Sequence, residues 1–218
     1  MPVKESTCAT CGKPFVPELY GPRMDCAACL KAMADADAAR AKEERKSGRL
    51  LMIPEKYRGI STDRTELLES KLNKSLFITG RHGVGKTVFL YSLAKRCIEQ
   101  DRKIRIIRFT AWIMELQSIF RSENGNPFES AKSIAEFPGT LFIDDLGAEK
   151  TTEYVRQIVY YVLDEREQGE LRTVITSNYS LDEINANIDP RSSSRIAGMC
   201  EVLIFKGEDR RLGKGGTR

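Results

Sequence analysis

An α/β domain built on a parallel sheet, preceded by a small cysteine-bound module, is the architecture this 218-residue sequence predicts. Three observations carry it. Short apolar runs alternate with helical-period segments from residue 75 onward, a glycine-rich loop sits at the first strand-to-helix junction, and four of the six cysteines fall into two C-x-x-C pairs near the N-terminus.

The alternation reads in order along the chain. "SLFIT" is an apolar run suited to a buried strand, and "VFLYSLAKRCIEQ" after the loop carries apolar residues at helical spacing. A strand "KIRIIRFT", a helical stretch, a buried strand from Thr140 to Ile143, the helix "EYVRQIVYYVLDEREQG" and the strand "RTVITSN" follow. Strands separated by helices pair in parallel, and such sheets bind ligand beyond the carboxyl ends of their strands.

Composition narrows the class. A hydrophobic fraction of 41% supports a core, while 30% charged residues and the lack of a long apolar run predict no membrane span. "MPVKESTCAT" has no apolar stretch after its charges, so a cytoplasmic location is expected. A formal charge of +4 is compatible with a polyanionic partner without establishing one. Three regions are expected: 1–48, a metal-binding knuckle with a helical linker; 49–212, the α/β domain; and 213–218, a flexible basic tail.

Cys8 with Cys11 and Cys26 with Cys29 form the two pairs, fourteen residues apart. Each pair can place two thiolates on one tight turn, and two turns complete a tetrahedral site that favours Zn²⁺. A segment of this size has too small a core to hold itself without such a staple. An iron–sulfur cluster or a redox C-x-x-C are the alternatives. Cys97 and Cys200 stand alone in apolar surroundings and read as core. "LKAMADADAARAKEERKSG" reads as a helix ending near Gly48, and region 1–48 is a candidate partner-binding region.

Gly80 to Thr87, "GRHGVGKT", matches G-x-x-x-x-G-K-[ST] in full. Between strand and helix, glycines let successive N–H groups turn inward, and the helix adds its positive end. Phosphate is the natural occupant. The binding set is Gly80, Gly83, Val84, Gly85, Lys86, Thr87 and Val88, with Lys86 neutralising the β and γ phosphates and Thr87 ligating Mg²⁺. In "LFIDDLGAEK", Asp144 can hold Mg²⁺ through water, and Asp145 can orient the attacking water or take its proton. Asn178, ending "RTVITSN", can fix that water near the γ-phosphate, although Asn also ends strands for turn reasons.

With "IPEKYRGIS", "GRHGVGKT", "LFIDDLGAEK", "TSN", "SSSRIAGMC" and "FKGEDRR" in this order, residues 50–212 resemble the AAA+ ATPases of the DnaC/IstB type, the replicative helicase loaders and their transposition relatives. The resemblance implies a P-loop NTPase that self-associates in an ATP-dependent oligomer. It implies that Arg195 is an arginine finger reaching a neighbour's ATP, and that Arg211, or Arg210 in its place, is the second sensor. It also implies single-stranded DNA binding through a helical insertion, with Phe120 and Arg121 as stacking and phosphate contacts and Thr152 and Tyr154 as further contacts. The alternative for Phe120 is a core position like Trp112 and Met114. Many AAA+ proteins carry Glu where this chain has Asp145, so slow hydrolysis is expected.

The function expected is ATP-dependent loading of a replicative DNA helicase onto single-stranded DNA, in a bacterium or as a phage protein in a bacterial host. The alternatives are a helper of DNA transposition acting on duplex DNA and a nucleotide-gated adaptor with little hydrolysis.

Overall fold

The computed structural model describes residues 6–16, 25–122, 125–148 and 152–210. The chain divides into two compact units, Met1–Gly48 and Arg49–Arg218. In the first, β1 (Ser6–Thr7) and β2 (Pro14–Phe15) pair antiparallel around the first cysteine turn, and α1 (Ala27–Leu50) follows the second. α1 has no buried residue and runs through Gly48. A glycine inside a helix weakens it by about 1 kcal/mol relative to alanine without having to end it.

The second unit opens with α2 (Glu55–Arg58) and α3 (Thr65–Lys71). It then alternates: β3 (Leu76–Thr79), α4 (Lys86–Glu99), β4 (Ile104–Arg108), α5 (Phe109–Arg121), α6 (Pro127–Ala135), β5 (Thr140–Leu146), α7 (Glu153–Gln168), β6 (Thr173–Ser177), α8 (Leu181–Asn187), α9 (Pro190–Met199) and β7 (Glu201–Ile204). The five strands are parallel in the order β4-β5-β6-β3-β7. The α/β expectation therefore holds, with two adjustments. β4 stops at Arg108, where Phe109 starts a helix, and β5 continues past Ile143 through both aspartates to Leu146.

Burial on both faces explains why the central strands read as continuous apolar runs. Phe77, Leu141, Ile143 and Ile175 point to one side and pack with α5, α6, α7 and α9; Leu76, Ile78, Phe142 and Val174 point to the other and pack with α3 and α4. Cys97 and Cys200 are buried, as the sequence suggested. Helix starts are fixed by capping: Asn126, Thr152, Ser180 and Asp189 each accept a backbone N–H at the start of α6, α7, α8 and α9.

The buried residues include polar and charged side chains, of which Arg166 is the largest. Arg166 of α7 is fully buried, and its guanidinium donates to the carbonyls of Ile134, Ala135, Phe137, Gly139 and Arg172 and to Thr173 Oγ1 at 2.7–3.3 Å. These include the carbonyls of the last two residues of α6. Burial lowers its pKa to about 10, so it stays charged at neutral pH. Among the described residues, no helix is long and apolar enough to cross a membrane.

Candidate nucleotide site and metal-binding knuckle

The G-x-x-x-x-G-K-[ST] loop joins β3 to α4, beyond the carboxyl end of a central strand. Two of its glycines show what a side chain would meet there. Gly83 has φ +75°, and a Cβ there would lie 1.8 Å from Asp209 Oδ1; at Gly80, φ +144°, it would lie 2.2 Å from the Phe205 carbonyl. Side chains are strained at such φ values. Gly85 is the N-cap of α4 and supplies no capping side chain, so the first-turn N–H groups remain for a ligand. Val84 is buried, while Val88 lines the cleft beside the loop.

Lys86 is buried, and its ammonium donates to Gly80 O (2.7 Å), Arg81 O (2.9 Å) and Asn178 Oδ1 (2.8 Å). The loop lysine and the residue ending β6 are thus in direct contact. Thr87 Oγ1 donates to Asp144 Oδ1 at 3.1 Å, and Thr176 Oγ1 donates to the same oxygen at 2.8 Å. Burial first, and the neighbouring Asp145 charge second, raise the Asp144 pKa; the Thr176 and Thr87 hydrogen bonds oppose them. A carboxylate buried on these terms gains from a cation beside it. Asp145 lines the cleft, its backbone left-handed at φ +59°.

The cleft holds about 800 Å³. It is a size suited to a small-molecule cofactor. Tyr57, Ile60, Ser61, Thr62, Asp63 and Arg64 also line the cleft; Tyr57, Ile60 and Ser61 belong to the "IPEKYRGIS" stretch of the resemblance, and the other three to no motif. Tyr57 stacks on Tyr91 at 4.7 Å between ring centroids, Thr62 N donates to Ser92 Oγ at 2.9 Å, and Lys95 donates to the carbonyls of Arg58 and Ile60. The segment lies about twenty residues before the loop. Arg210 closes the other end. Its backbone N–H donates to Gly83 O at 3.2 Å and its guanidinium pairs with Asp63 at 3.1 Å. Arg211 lies outside the described residues; Arg64 and Arg210 are the described arginines that line the cleft.

Arg195 does not line its own chain's cleft. On α9, its Nε pairs with Asp164 and its Nη1 with Glu167, each at 2.8 Å, and Nη2 lies 3.5 Å from the Tyr160 hydroxyl. The two carboxylates and the hydroxyl come from one stripe of α7, at spacings of four and three residues. These contacts raise the Arg195 pKa further, the Tyr160 and Glu167 hydrogen bonds contributing most.

The candidate nucleic-acid residues fall into two kinds. Phe120 is 68% exposed, its ring 5.6 Å from that of Tyr154, and Arg121 beside it is exposed. Of the residues grouped with Phe120 as possible core, Trp112 is buried and Met114 is 62% exposed. Thr152 has a structural use, its hydroxyl accepting Val155 N–H at 3.3 Å to cap α7.

In the knuckle, the ligand atoms of Cys8, Cys11, Cys26 and Cys29 all lie within 4.8 Å of one another. Four sulfurs about 2.3 Å from a tetrahedral Zn²⁺ stand about 3.8 Å apart. Cys11 Sγ and Cys26 Sγ are 3.8 Å apart. Cys26 N–H donates to Cys8 Sγ at 3.3 Å, and this bond leads in lowering the Cys8 pKa to about 6. The Cys11 and Cys26 side chains push Cys29 up to about 12. Crowded thiols that cannot all ionise alone are a fit for a thiolate-binding cation.

With this geometry in place, comparison with known proteins places the chain. The sequence model of the family described as IstB-like ATP binding protein matches residues 64–215. The replicative helicase loader DnaI of Bacillus subtilis (strain 168) is 30% identical over 156 residues, which cover 66% of this chain and 49% of that protein. The chain thus spans about half the length of that curated relative. Among solved structures, the crystal structure of DnaI aligns with a TM-score of 0.61 at 23% identity, covering 73% of this chain and 94% of that one. The DnaC helicase loader aligns with a TM-score of 0.58 at 20% identity, covering 70% and 100%. At these identities the solved structures speak to the fold, which is that of an AAA+ domain.

Proposed function

The chain belongs to the family of IstB-like ATP-binding proteins, and from that premise we propose that it is an ATP-dependent loader that places a replicative DNA helicase on single-stranded DNA. Membership of an AAA+ family implies ATPase activity. The observation that carries the finer reading is the exposed Phe120–Tyr154 pair, with Arg121 beside it, on the domain that holds the ATP cleft. Exposed aromatic rings stack on unpaired bases and find no such partner on an intact duplex, and an adjacent guanidinium meets the phosphates. The similarity to proteins named as helicase loaders supports the same reading.

In this reading the loop N–H groups and Lys86 bind the β and γ phosphates, and Lys86 exchanges carbonyl acceptors for phosphate oxygens. Thr87 and Asp144 hold Mg²⁺, which when bound draws charge from the phosphates. Asp145 accepts the proton of the attacking water, and Asn178, in contact with Lys86, orients that water. Arg195, held in the single chain by Asp164, Glu167 and the Tyr160 hydroxyl, acts across a subunit boundary on the neighbour's γ-phosphate. Arg210 or Arg211 contacts nucleotide in its own subunit. Cys8, Cys11, Cys26 and Cys29 hold Zn²⁺, and residues 1–48 engage the helicase in the bacterial cytoplasm, for a host or a phage replication system.

Binding of labelled single-stranded and duplex oligonucleotides, with and without ATP, tests the proposal. We expect ATP to tighten single-strand binding and Phe120→Ala to weaken it about tenfold. Full affinity in Phe120→Ala removes the DNA assignment. The second reading is a duplex-binding helper of transposition, and a preference for duplex would select it. ATP binding that Lys86→Ala abolishes, with function untouched by Asp145→Asn, would indicate a nucleotide-gated adaptor.

A further inference from the structure

The two acids of β5 are neighbours in sequence, and a regular strand would turn them to opposite faces of the sheet. The register shows how that is avoided. Ile143 pairs with Ile175 and Leu146 with Ser177, so Asp144 and Asp145 together stand opposite one residue of β6, Thr176. This is a bulge, which re-aims side chains and takes an amide out of the ladder. The left-handed backbone of Asp145, φ +59°, belongs to it. The displaced Asp145 N–H is accepted by Thr176 Oγ1 at 3.0 Å, and the same hydroxyl donates to Asp144 Oδ1 at 2.8 Å.

We propose that Thr176 is the positioning residue for both acids, holding the Asp144 carboxylate through its proton and the Asp145 backbone through its lone pair. A hydroxyl offers one donor and two acceptor positions, so it can do both at once; valine, of the same shape, can do neither. Thr176 is fully exposed to protein and not to solvent, at 0% accessibility, so water cannot stand in for the lost oxygen. Thr87 Oγ1 meets the same Oδ1 from α4. Two hydroxyls on one oxygen fix the rotation of the carboxylate, and with it the direction in which Asp144 Oδ2 points. A strained turn of this kind persists where its surroundings over-determine it, and Thr176 supplies that restraint.

This inference rests on the reading that Asp144 serves magnesium and Asp145 serves the water. Thr176→Val, Thr176→Ser and the parent are compared by ATP hydrolysis, by affinity for a fluorescent ATP analogue with and without Mg²⁺, and by amide hydrogen exchange at Asp145 in the nucleotide-free protein. In Thr176→Val we expect a loss of about 10–100-fold in hydrolysis and in the Mg²⁺-dependent part of binding, as when a metal ligand loses its supporting hydrogen bond. Binding without Mg²⁺ stays within about twofold on the same ground, and the Asp145 amide exchanges faster. Thr176→Ser restores all three. Parental hydrolysis and parental exchange in Thr176→Val overturn the proposal, as does a serine variant no better than valine. If Thr176→Val does not fold, Thr176→Ala against Thr176→Ser, which differ by the one oxygen, reads the hydroxyl, and equal hydrolysis and equal Asp145 exchange in that pair overturn it. Undiminished hydrolysis in both Asp144→Asn and Asp145→Asn would instead remove the reading beneath it; loss there beside a normal Thr176→Val removes this inference alone.

Discussion

Met1–Gly48 buries a single side chain among its described residues, the Cys8 thiol, whereas Arg49–Arg218 buries two apolar clusters, one on each face of a five-stranded sheet. The described residues of the first unit have almost no apolar burial to offset the entropy of ordering their chain, and its four sulfurs stand where a metal would close it. The second folds on burial and turns its exceptions inward. Its buried charges, Arg166, Lys86, Asp144 and Asp189, are held by carbonyls, hydroxyls or amides. One unit should fail with its metal and the other with its packing or its polar network.

The largest effect separates the units most sharply. Cys8→Ser, or chelation of Zn²⁺, should unfold 1–48, since structural zinc contributes about 10–16 kcal/mol in zinc-finger peptides. Limited proteolysis and circular dichroism would read this loss, and ATP affinity should be unchanged. A parallel loss of ATP binding would break the comparison.

Within the second unit, Lys86→Ala should weaken ATP binding by about 10²–10³-fold while leaving the melting temperature near that of the parent. Equilibrium titration with ATP and thermal unfolding measured on the same sample separate the two quantities. Arg166→Leu should do the reverse. Several carbonyls lose their donor at once, so destabilisation of about 3 kcal/mol is expected in urea unfolding, with nucleotide affinity conserved in the folded fraction. The smallest effect is at Gly83, where alanine must adopt a positive φ and displace Asp209. About 1–2 kcal/mol of stability should be lost, together with a measurable loss of ATP affinity.

The cysteine pairs, the phosphate loop and the strand order were legible because each is local in sequence: a spacing, a glycine pattern, an apolar run. Asn178 was singled out for its place after an apolar strand, and the contact with Lys86 brings together residues 92 positions apart. What sequence could not display depends on register or distant packing. Nothing in "FIDDL" marks the bulge that brings both acids toward the cleft, because it is defined by pairing with β6. Tyr57–Arg64 and Asp63 reach the cleft only once α2, α3 and α4 are packed. Arg166 sits among charged residues in "DEREQ" and reads as a solvated face, yet it is a fully buried cap. The acids paired with Arg195 lie on another helix, so no spacing around "SSSRI" signals them.

In the proposed loader, one chain's phosphate loop and another chain's Arg195 complete a single hydrolytic site. Mixing Lys86→Ala protein with Arg195→Ala protein and measuring ATP hydrolysis tests it most directly. Each variant alone should be nearly inactive, and the mixture should regain hydrolysis, because some interfaces join an intact loop to an intact arginine. Parental activity in Arg195→Ala alone, or a mixture as silent as its parts, would contradict it.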